Sequence, residues 1–336
     1  MTSARIARRR LIRGSVALAS LGLLSGCSLP FGLSAQPAPP RRIGFLVNGN
    51  PTSNAATLDV FRQGLVELGY VEGRDVAFEV RYVEGREDRL PELSAELVDL
   101  PVDVIVLSAA AAIRAAQRAT STIPIVFASA GIDPVADGFV ASLARPGGNI
   151  TGLTLYAGEE HAKRLQLLKE AVSGLSRVAI PWNQSGVGFL RESEVAAQAI
   201  GVEVVPLEVR SPDEIESTLD GATVGQADGL MVTGGPVFSF LASRIVAWAA
   251  AHRLPAIYAV SNFVGAGGLM TYAASLPANY RRAAIYVDKI LKGAKPGDLP
   301  VERPTTFDFL VNLKAAQALG LTIPPSVLQQ ATEILQ

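Results

Sequence analysis

The residues best able to bind a small molecule stand where predicted strands end. They carry amide, hydroxyl and aromatic groups and few charges, a mixture suited to reversible binding of a small polar or zwitterionic molecule. In open α/β sheets, ligands bind beyond the carboxyl ends of the strands. On that rule we expect the ligand-binding residues to be Asn48, Ser53, Ser108, Ala109, Ser129, Asp133, Trp182, Asn183, Gly234, Tyr258 and Tyr272.

Four of these side chains admit more than one interpretation. Asp133 is the only carboxylate in the set, and it could act as a base, contact a cationic amine or simply form a turn. Trp182 could stack on a ligand or plug an edge of its domain. Tyr258 and Tyr272 are open to the same pair of interpretations as Trp182.

The sequence shows no constellation typical of catalysis or metal binding. It has two histidines; we expect His161 to be a solvated helix residue and His252 to cap carbonyls at a helix end. No cluster has metal-ligand spacing, and neither a Gly-x-Ser-x-Gly turn nor a P-loop occurs. The glycines at 147–148 and 265–268 do not form a dinucleotide-binding turn. The sequence therefore predicts no enzyme, no cofactor and no metal.

Strand-like and helix-like patterns alternate from Arg42 onward. Apolar runs such as 102–107 indicate buried strands, and between them leucines and alanines recur at helical spacing. Strands that alternate with helices are typical of a parallel sheet covered on both faces. The pattern starts again after a glycine-rich break at 147–157, so we expect two doubly wound domains of similar size. Residues 312–336 are expected to be helical, with a break at 324–325.

The first 27 residues have the layout of an export signal. Five arginines precede an apolar run from Val16 to Leu24, which is too short to span a bilayer. The sequence Leu-Ser-Gly-Cys at 24–27 resembles the lipobox of bacterial lipoproteins, in which the cysteine is lipidated. Cys27 is the only cysteine in the chain; the alternative is an incidental cysteine in an ordinary signal peptide. We expect an exported protein held at a membrane by lipid on Cys27.

Composition excludes several other classes of protein. Without residues 1–26 the chain keeps 25 Lys and Arg against 31 Asp and Glu, a net charge of −6, which argues against nucleic-acid binding. No thiol remains beyond Cys27, so disulfides within the mature chain and cysteine-based metal sites are excluded. A chain with 49% hydrophobic and 18% charged residues is globular.

Several segments together resemble one protein family. The most specific is SLARPGGNITG at 142–152. The others are FRQGL at 61–65, ELGYVEG at 67–73, EGR at 84–86, RLPEL at 89–93, VDVIV at 102–106, ATSTIPIVF at 119–127, DPV at 133–135, AHRLPAIY at 251–258, GGLMTY at 267–272 and NLKAAQALGLTIPP at 312–325. They are similar to the ABC transporter substrate-binding proteins that include tryptophan- and tyrosine-type binding lipoproteins. The similarity covers nearly all of residues 41–336.

This resemblance implies a type I periplasmic-binding-protein fold, an α/β architecture of two doubly wound parallel-sheet lobes joined by hinge strands. The lobes close on a ligand and present it to an ABC permease in the membrane. The expected parts begin with a lipoprotein signal peptide at 1–26 and a Pro/Ala/Ser-rich tether at 27–41. Lobe 1 is expected at 42–155 with 268–300, and lobe 2 at 156–267 with 301–336. Hinge crossings are expected near 155–158, 267–268 and 300–305.

Two ligand-side segments depart from the family pattern. Ser-Ala-Ala-Ala at 108–111 replaces the family's Gly-Thr-Pro-Ala, and Trp-Asn-Gln at 182–184 replaces Trp-Asn-Pro. Family members commonly bind aromatic or related amino acids. Because of these two departures, we do not infer that tryptophan is the ligand of this chain.

The expected function is that of a monomeric, lipid-anchored solute-binding protein on the periplasmic or cell-surface face of a bacterial membrane. It would bind a small polar or zwitterionic molecule, such as an amino acid, for import. Two other classes remain open. The lobes could report ligand state to a membrane receptor instead of a permease, or the chain could be an exported α/β enzyme.

Overall fold

The computed structural model describes residues 39–336 apart from 48, 157 and 225, and it contains two β-sheets. The signal peptide, almost all of the tether, Cys27 and Asn48 lie outside the described residues. Each sheet has an apolar core on both of its faces, which confirms the expected pair of doubly wound lobes. No helix in the described part of the chain is both long and apolar enough to cross a membrane.

The first lobe is built on a five-stranded parallel sheet with strand order β2-β1-β3-β4-β5. Strand β3 is buried on both faces because Val104–Leu107 is an unbroken apolar run. The elements of this lobe, up to the first crossing, are β1 (Arg41–Val47), α1 (Pro51–Glu67), β2 (Val76–Tyr82), α2 (Leu90–Asp99), β3 (Val104–Ser108), α3 (Ala110–Ala119), β4 (Ile125–Ala130) and β5 (Ile150–Thr154).

Strand β5 lies inside the segment that the sequence pattern marked as a break. Gly152 makes the strand possible, because a Cβ at this position would lie 2.1 Å from the carbonyl oxygen of Phe127 on β4. Its φ of +149° is also one that other residues rarely adopt. The glycine that interrupts the pattern is therefore what lets the edge strand pair closely with its neighbour.

The second lobe is built on a seven-stranded sheet with strand order β12-β11-β10-β9-β8-β6-β7. The neighbouring strands are parallel except for β10 and β11, which are antiparallel. Its elements are α4 (Glu160–Ala171), β6 (Arg177–Trp182), α5 (Val187–Ala199), β7 (Glu203–Glu208), α6 (Ile215–Val224), β8 (Gly229–Val232), α7 (Pro236–Phe240), α8 (Ala242–Ala251), β9 (Ala256–Tyr258), α9 (Asn262–Gly265), β10 (Met270–Ala274), β11 (Phe307–Asn312), α11 (Leu313–Ala318), α12 (Pro325–Leu328) and β12 (Glu333–Leu335).

Helix α10 (Leu276–Leu291) returns to the first lobe, where it packs against α1. The packing is close: a Cβ at Gly64 on α1 would lie 2.9 Å from the Cβ of Ala284. Strand β10, in contrast, pairs with β9 and β11, so residues 268–274 belong to the second lobe and the expected division at 268 is displaced. The chain crosses at Ser275, after β10, and not at 267–268.

The end of the chain contains a strand that helical periodicity did not indicate. Residues 333–335 form β12, which pairs in parallel with β11. The expected break at 324–325 is present, because α12 begins at Pro325. The described residues of the three crossings between the lobes are thus 155–156 with 158–159, Ser275, and the segment after Val301 that leads into β11.

Candidate functional site

The carboxyl ends of β1, β3 and β4 in the first lobe form one wall of the candidate site. Ser108 ends β3 and, with Asn54, Thr57 and Tyr280, lines a cavity of about 10 Å³, room for one water molecule. Ser129 on β4 is buried and lies 3.4 Å, oxygen to oxygen, from the Tyr280 hydroxyl. The structure therefore brings Ser108 and Ser129 together, as expected for neighbouring strand ends.

Tyr280 is a wall residue that the sequence pattern did not single out. It lies on α10, one helical turn beyond the crossing at Ser275, and its ring stacks on Phe45 with centroids 6.4 Å apart. A polar aromatic residue one turn after a crossing is the signal that could have identified it.

Ala109 starts helix α3 with unusual backbone angles, φ +74° and ψ 144°. Residues other than glycine rarely adopt such angles, and backbone strain of this kind costs about 1–3 kcal/mol. This position corresponds to the threonine of the family pattern. It therefore offers a ligand main-chain atoms and a methyl group instead of a hydroxyl.

Asp133 forms a turn in this structure. Its Oδ1 accepts hydrogen bonds from the backbone N–H groups of Val135 and Ala136, at 3.0 and 3.1 Å. The side chain is exposed, so the carboxylate also faces solvent beyond the carboxyl end of β4. The geometry favours the turn interpretation.

In the second lobe, Trp182 and Asn183 stand together at the end of β6. The Trp182 indole is partly buried against the apolar core of that lobe, and the Asn183 side chain accepts a hydrogen bond from Gly186 N–H. Gly234 follows the buried Thr233 at the end of β8. A cavity of about 440 Å³, within the usual range for ligand pockets, is lined by Asn183, Gln184, Glu208, Val209, Arg210, Ser211, Pro212 and Val237.

The two candidate tyrosines differ in their surroundings. Tyr258 is 1% exposed and stacks on Phe263 inside the core of the second lobe, with ring centroids 4.5 Å apart, so its side chain belongs to the core. Tyr272 is half-buried and stacks on Phe307, with centroids 5.1 Å apart and ring planes at 4°. Both rings of that second pair lie beside crossings, because β10 ends just before one and β11 begins just after another.

His161 is buried, contrary to the expected solvated helix position. It is 3% exposed and stacks on Phe189, with ring centroids 5.4 Å apart. Burial, reinforced by the charge of Arg164, lowers the pKa of His161 to about 3. The first turn of α4 therefore packs onto α5 through a neutral imidazole.

Tyr156, in the first crossing, joins this packing. Its hydroxyl donates a short hydrogen bond to Glu192 on α5, and its ring lies 5.8 Å from that of Phe189. Sequence reasoning named neither residue as a site residue, because Tyr156 lies in a crossing and Glu192 lies within α5 and not at a strand end.

The remaining predicted residues are placed as follows. His252 caps α8 as expected: Nδ1 donates to the Trp248 carbonyl oxygen at 2.9 Å, and the two rings stack. Ser53 lies in the first turn of α1 and not in a strand-end loop. Among the described residues, no group of three or more His, Cys, Asp or Glu side chains is arranged to hold a metal ion.

Comparisons with known proteins place this geometry in context. Residues 46–335 match the family model described as ABC transporter substrate binding protein. A curated tyrosine-binding protein of Clostridioides difficile (strain R20291) is 24% identical over an alignment of 271 residues that covers 78% of this chain and 75% of that protein.

Solved structures have the same fold. The crystal structure of an ABC domain in complex with L-Trp from Streptococcus pneumonia has a TM-score of 0.79 and 26% identity, covering 88% of this chain and 100% of that chain. A ligand-free, open substrate-binding protein with adhesive properties from Clostridium difficile has a TM-score of 0.72 and 23% identity, covering 88% and 99% of the two chains.

Proposed function

The chain belongs to the ABC transporter substrate-binding protein family, and we propose that it binds an amino acid between its two lobes and delivers it to a membrane permease. Proteins of this family are extracytoplasmic solute-binding proteins and not enzymes. The observations that support the proposal are the hydroxyl and aromatic groups at the strand ends of the first lobe, Ser108, Ser129 and Tyr280, and the aromatic and amide groups of Trp182 and Asn183 at the end of β6 in the second lobe.

Relatives support the class of ligand. One solved structure contains L-Trp and one curated relative is named for tyrosine. An aromatic amino acid offers an apolar ring for stacking and two charged groups for hydrogen bonds, which suits a site rich in aromatic and hydroxyl groups. The Ala109 and Gln184 departures leave the choice among amino acids to experiment.

The proposal includes the location of the protein. Lipid on Cys27 would hold a monomer at the membrane surface, with the residues before Pro39 as a tether. This arrangement keeps the binding lobes near the permease that receives the ligand.

Calorimetry and thermal unfolding of the full chain in detergent test the proposal. L-tryptophan, L-tyrosine and L-leucine would each be titrated. A ligand present at 100 times its Kd stabilises the folded state by about 2.7 kcal/mol, a clear rise in Tm. Heat of binding and a Tm rise with at least one amino acid are expected; no response to any of them at millimolar concentration would contradict the proposal.

A further inference from the structure

The hinge cluster consists of Tyr156, His161, Phe189 and Glu192, and the charge of Asp133 acts on Tyr156 from the first lobe. The cluster lies where the first crossing enters the second lobe, between the first turn of α4 and the first two turns of α5. Tyr156 and Phe189 supply aromatic faces, and the Tyr156 hydroxyl donates to Glu192. This places a carboxylate and two aromatic rings together at a crossing.

The hydrogen bonds of Ser193 determine the tautomer of His161. Ser193 donates its proton to the carbonyl oxygen of Phe189, 2.7 Å away. The Ser193 oxygen lies 3.3 Å from His161 Nδ1, and with its own hydrogen directed at Phe189 we assign it as the acceptor from that nitrogen. The neutral imidazole therefore has its hydrogen on Nδ1 and a lone pair on Nε2.

That lone pair faces a second acceptor. His161 Nε2 lies 3.8 Å from Glu192 Oε2, and Oε2 is buried without a hydrogen-bond partner. A buried acceptor without a donor destabilises the folded state, and the effect is larger for a charged group. Because 3.8 Å is beyond hydrogen-bond distance, Glu192 Oε2 lacks a donor whichever ring nitrogen of His161 carries the hydrogen.

The charges around the cluster select the kind of donor. The pKa of Tyr156 is raised by burial first, then by the hydrogen bond to Glu192 and by the negative charges of Glu192, Glu160 and Asp133. Arg164 is buried and interacts electrostatically with Glu160, while its Nε donates to the Tyr272 carbonyl oxygen. The charges of Glu192 and Asp133 have no comparable positive group in the cluster, because His161 is neutral.

We infer that the hinge cluster is the subsite for the cationic amine of the ligand, with Glu192 as its anchoring carboxylate. An ammonium group supplies several donors at once, which suits facing acceptors, and it is attracted to aromatic faces. Asp133, whose Oδ1 is already engaged in a turn, adds long-range attraction from the first lobe. This inference rests on the proposed function, which requires a ligand with an amine.

Calorimetry with matched probes tests the assignment. The probes are L-tyrosine and L-tryptophan, their deamino analogues 3-(4-hydroxyphenyl)propionate and indole-3-propionate, and the decarboxylated amines tyramine and tryptamine. The variant Glu192→Gln keeps the shape of the side chain and removes its charge. Glu194→Gln, on the same helix and exposed, is the matched control.

We expect Glu192→Gln to weaken binding of the amine-bearing probes at least tenfold and to change binding of the deamino analogues less than twofold. Glu194→Gln should change neither. Tyr156→Phe is the second variant: it removes a hydrogen-bond donor but leaves the carboxylate, so the preference for an amine should persist. Thermal unfolding curves establish that each variant is folded.

Each outcome separates the two proposals. Amino acids that bind the wild-type protein and the Glu192→Gln variant equally well would overturn the amine subsite and leave the proposed function intact, as would an equal loss for amines and deamino analogues. Binding of tyramine or tryptamine that depends on Glu192, without binding of any amino acid, would support the subsite and overturn the proposed function. Binding of no probe would overturn both.

Discussion

The guanidinium of Arg282 is joined to the carboxylate of Glu302 by two hydrogen bonds, 2.8 Å from Nε to Oε2 and 2.6 Å from Nη2 to Oε1. Arg282 lies on α10 of the first lobe, and Glu302 lies in the third crossing, where it forms a β-bridge with Leu153. The hydrogen bonds from Arg282 are the largest cause of the lowered pKa of Glu302. The third crossing is therefore fastened to the first lobe as far as Glu302, and any bending must occur beyond it.

Arg282→Gln should lower the free energy of unfolding by about 1 kcal/mol. The effect is modest because both side chains are more than one-third exposed, and exposed ion pairs contribute little. Arg281→Gln is the control, because Arg281 makes one nitrogen-to-oxygen contact with Glu67, at 3.5 Å, in place of two parallel hydrogen bonds. Urea unfolding measures both; equal losses would contradict a special role for the paired contact.

Gly152→Ala should destabilise the first lobe by about 3 kcal/mol, because a Cβ there collides with the backbone of Phe127. The control is Gly148→Ala, where a Cβ meets no heavy atom within 4 Å; a change of less than about 1 kcal/mol is expected. If both variants unfold at the same urea concentration, the close pairing of β4 and β5 is wrong.

Most of the fold could be predicted from the sequence because most helices and strands show a characteristic pattern of apolar residues. Buried parallel strands are short apolar runs, and helices repeat their apolar residues at helical spacing. Strand β5 was not predicted because Gly152, which permits it, is also the residue that disrupts its pattern. Strand β12 was not predicted because Glu333 and Ile334 are exposed and have no apolar face to mark them.

Stability should depend on pH through His161. Its pKa is about 3 in the folded protein, against 6.5 for an ordinary histidine. The unfolded chain therefore takes up a proton as the pH falls below 6.5 and the folded chain does not, so stability is full above pH 6.5 and declines toward pH 3. The loss between pH 6.5 and pH 5 is about 2 kcal/mol.

His161→Phe should make the pH dependence of stability in that window shallower by a similar amount, while retaining the stack on Phe189. Unfolding free energies at several pH values measure the slopes; a slope unchanged in His161→Phe would disprove the burial of a neutral imidazole.

Ligand should reduce the radius of gyration. Two lobes joined by three crossings can rotate toward each other, and an amino acid held between them favours the closed arrangement. Small-angle scattering with and without saturating L-tryptophan or L-tyrosine measures the change. An unchanged radius, with binding established by calorimetry, would count against a closing cleft.

Cys27→Ala should prevent membrane anchoring, because lipid attachment requires the thiol. Partitioning between detergent and water distinguishes the variant from the wild type: we expect the wild type in the detergent phase and the variant in the aqueous phase or retained as precursor. Equal partitioning of the two proteins would exclude a lipid on Cys27.

The candidate site was predictable only in part. Strand-end reasoning placed Ser108, Ser129 and Asn183 at the carboxyl ends of strands, where the structure has them, and their role in binding stays a prediction. The prediction for His161 was wrong, because basic neighbours in the sequence are typical of a solvated helix face. Arg164, one of those neighbours, is itself buried, and its Nε donates a hydrogen bond to the Tyr272 carbonyl oxygen. Tyr258 ends a strand as expected, but its ring turns into the core, and no local pattern distinguishes the two directions.

The position of α10 has a consequence for how the protein is made. Helix α10 completes the apolar core around Phe45 and Phe61, and its Asp288 accepts a hydrogen bond from Tyr70, a residue 218 positions earlier in the chain. A chain that emerges amino terminus first thus exposes an unfinished first lobe throughout synthesis of the second lobe as far as β10. Completion of the apolar core of the first lobe must therefore wait for the carboxyl-terminal quarter of the chain.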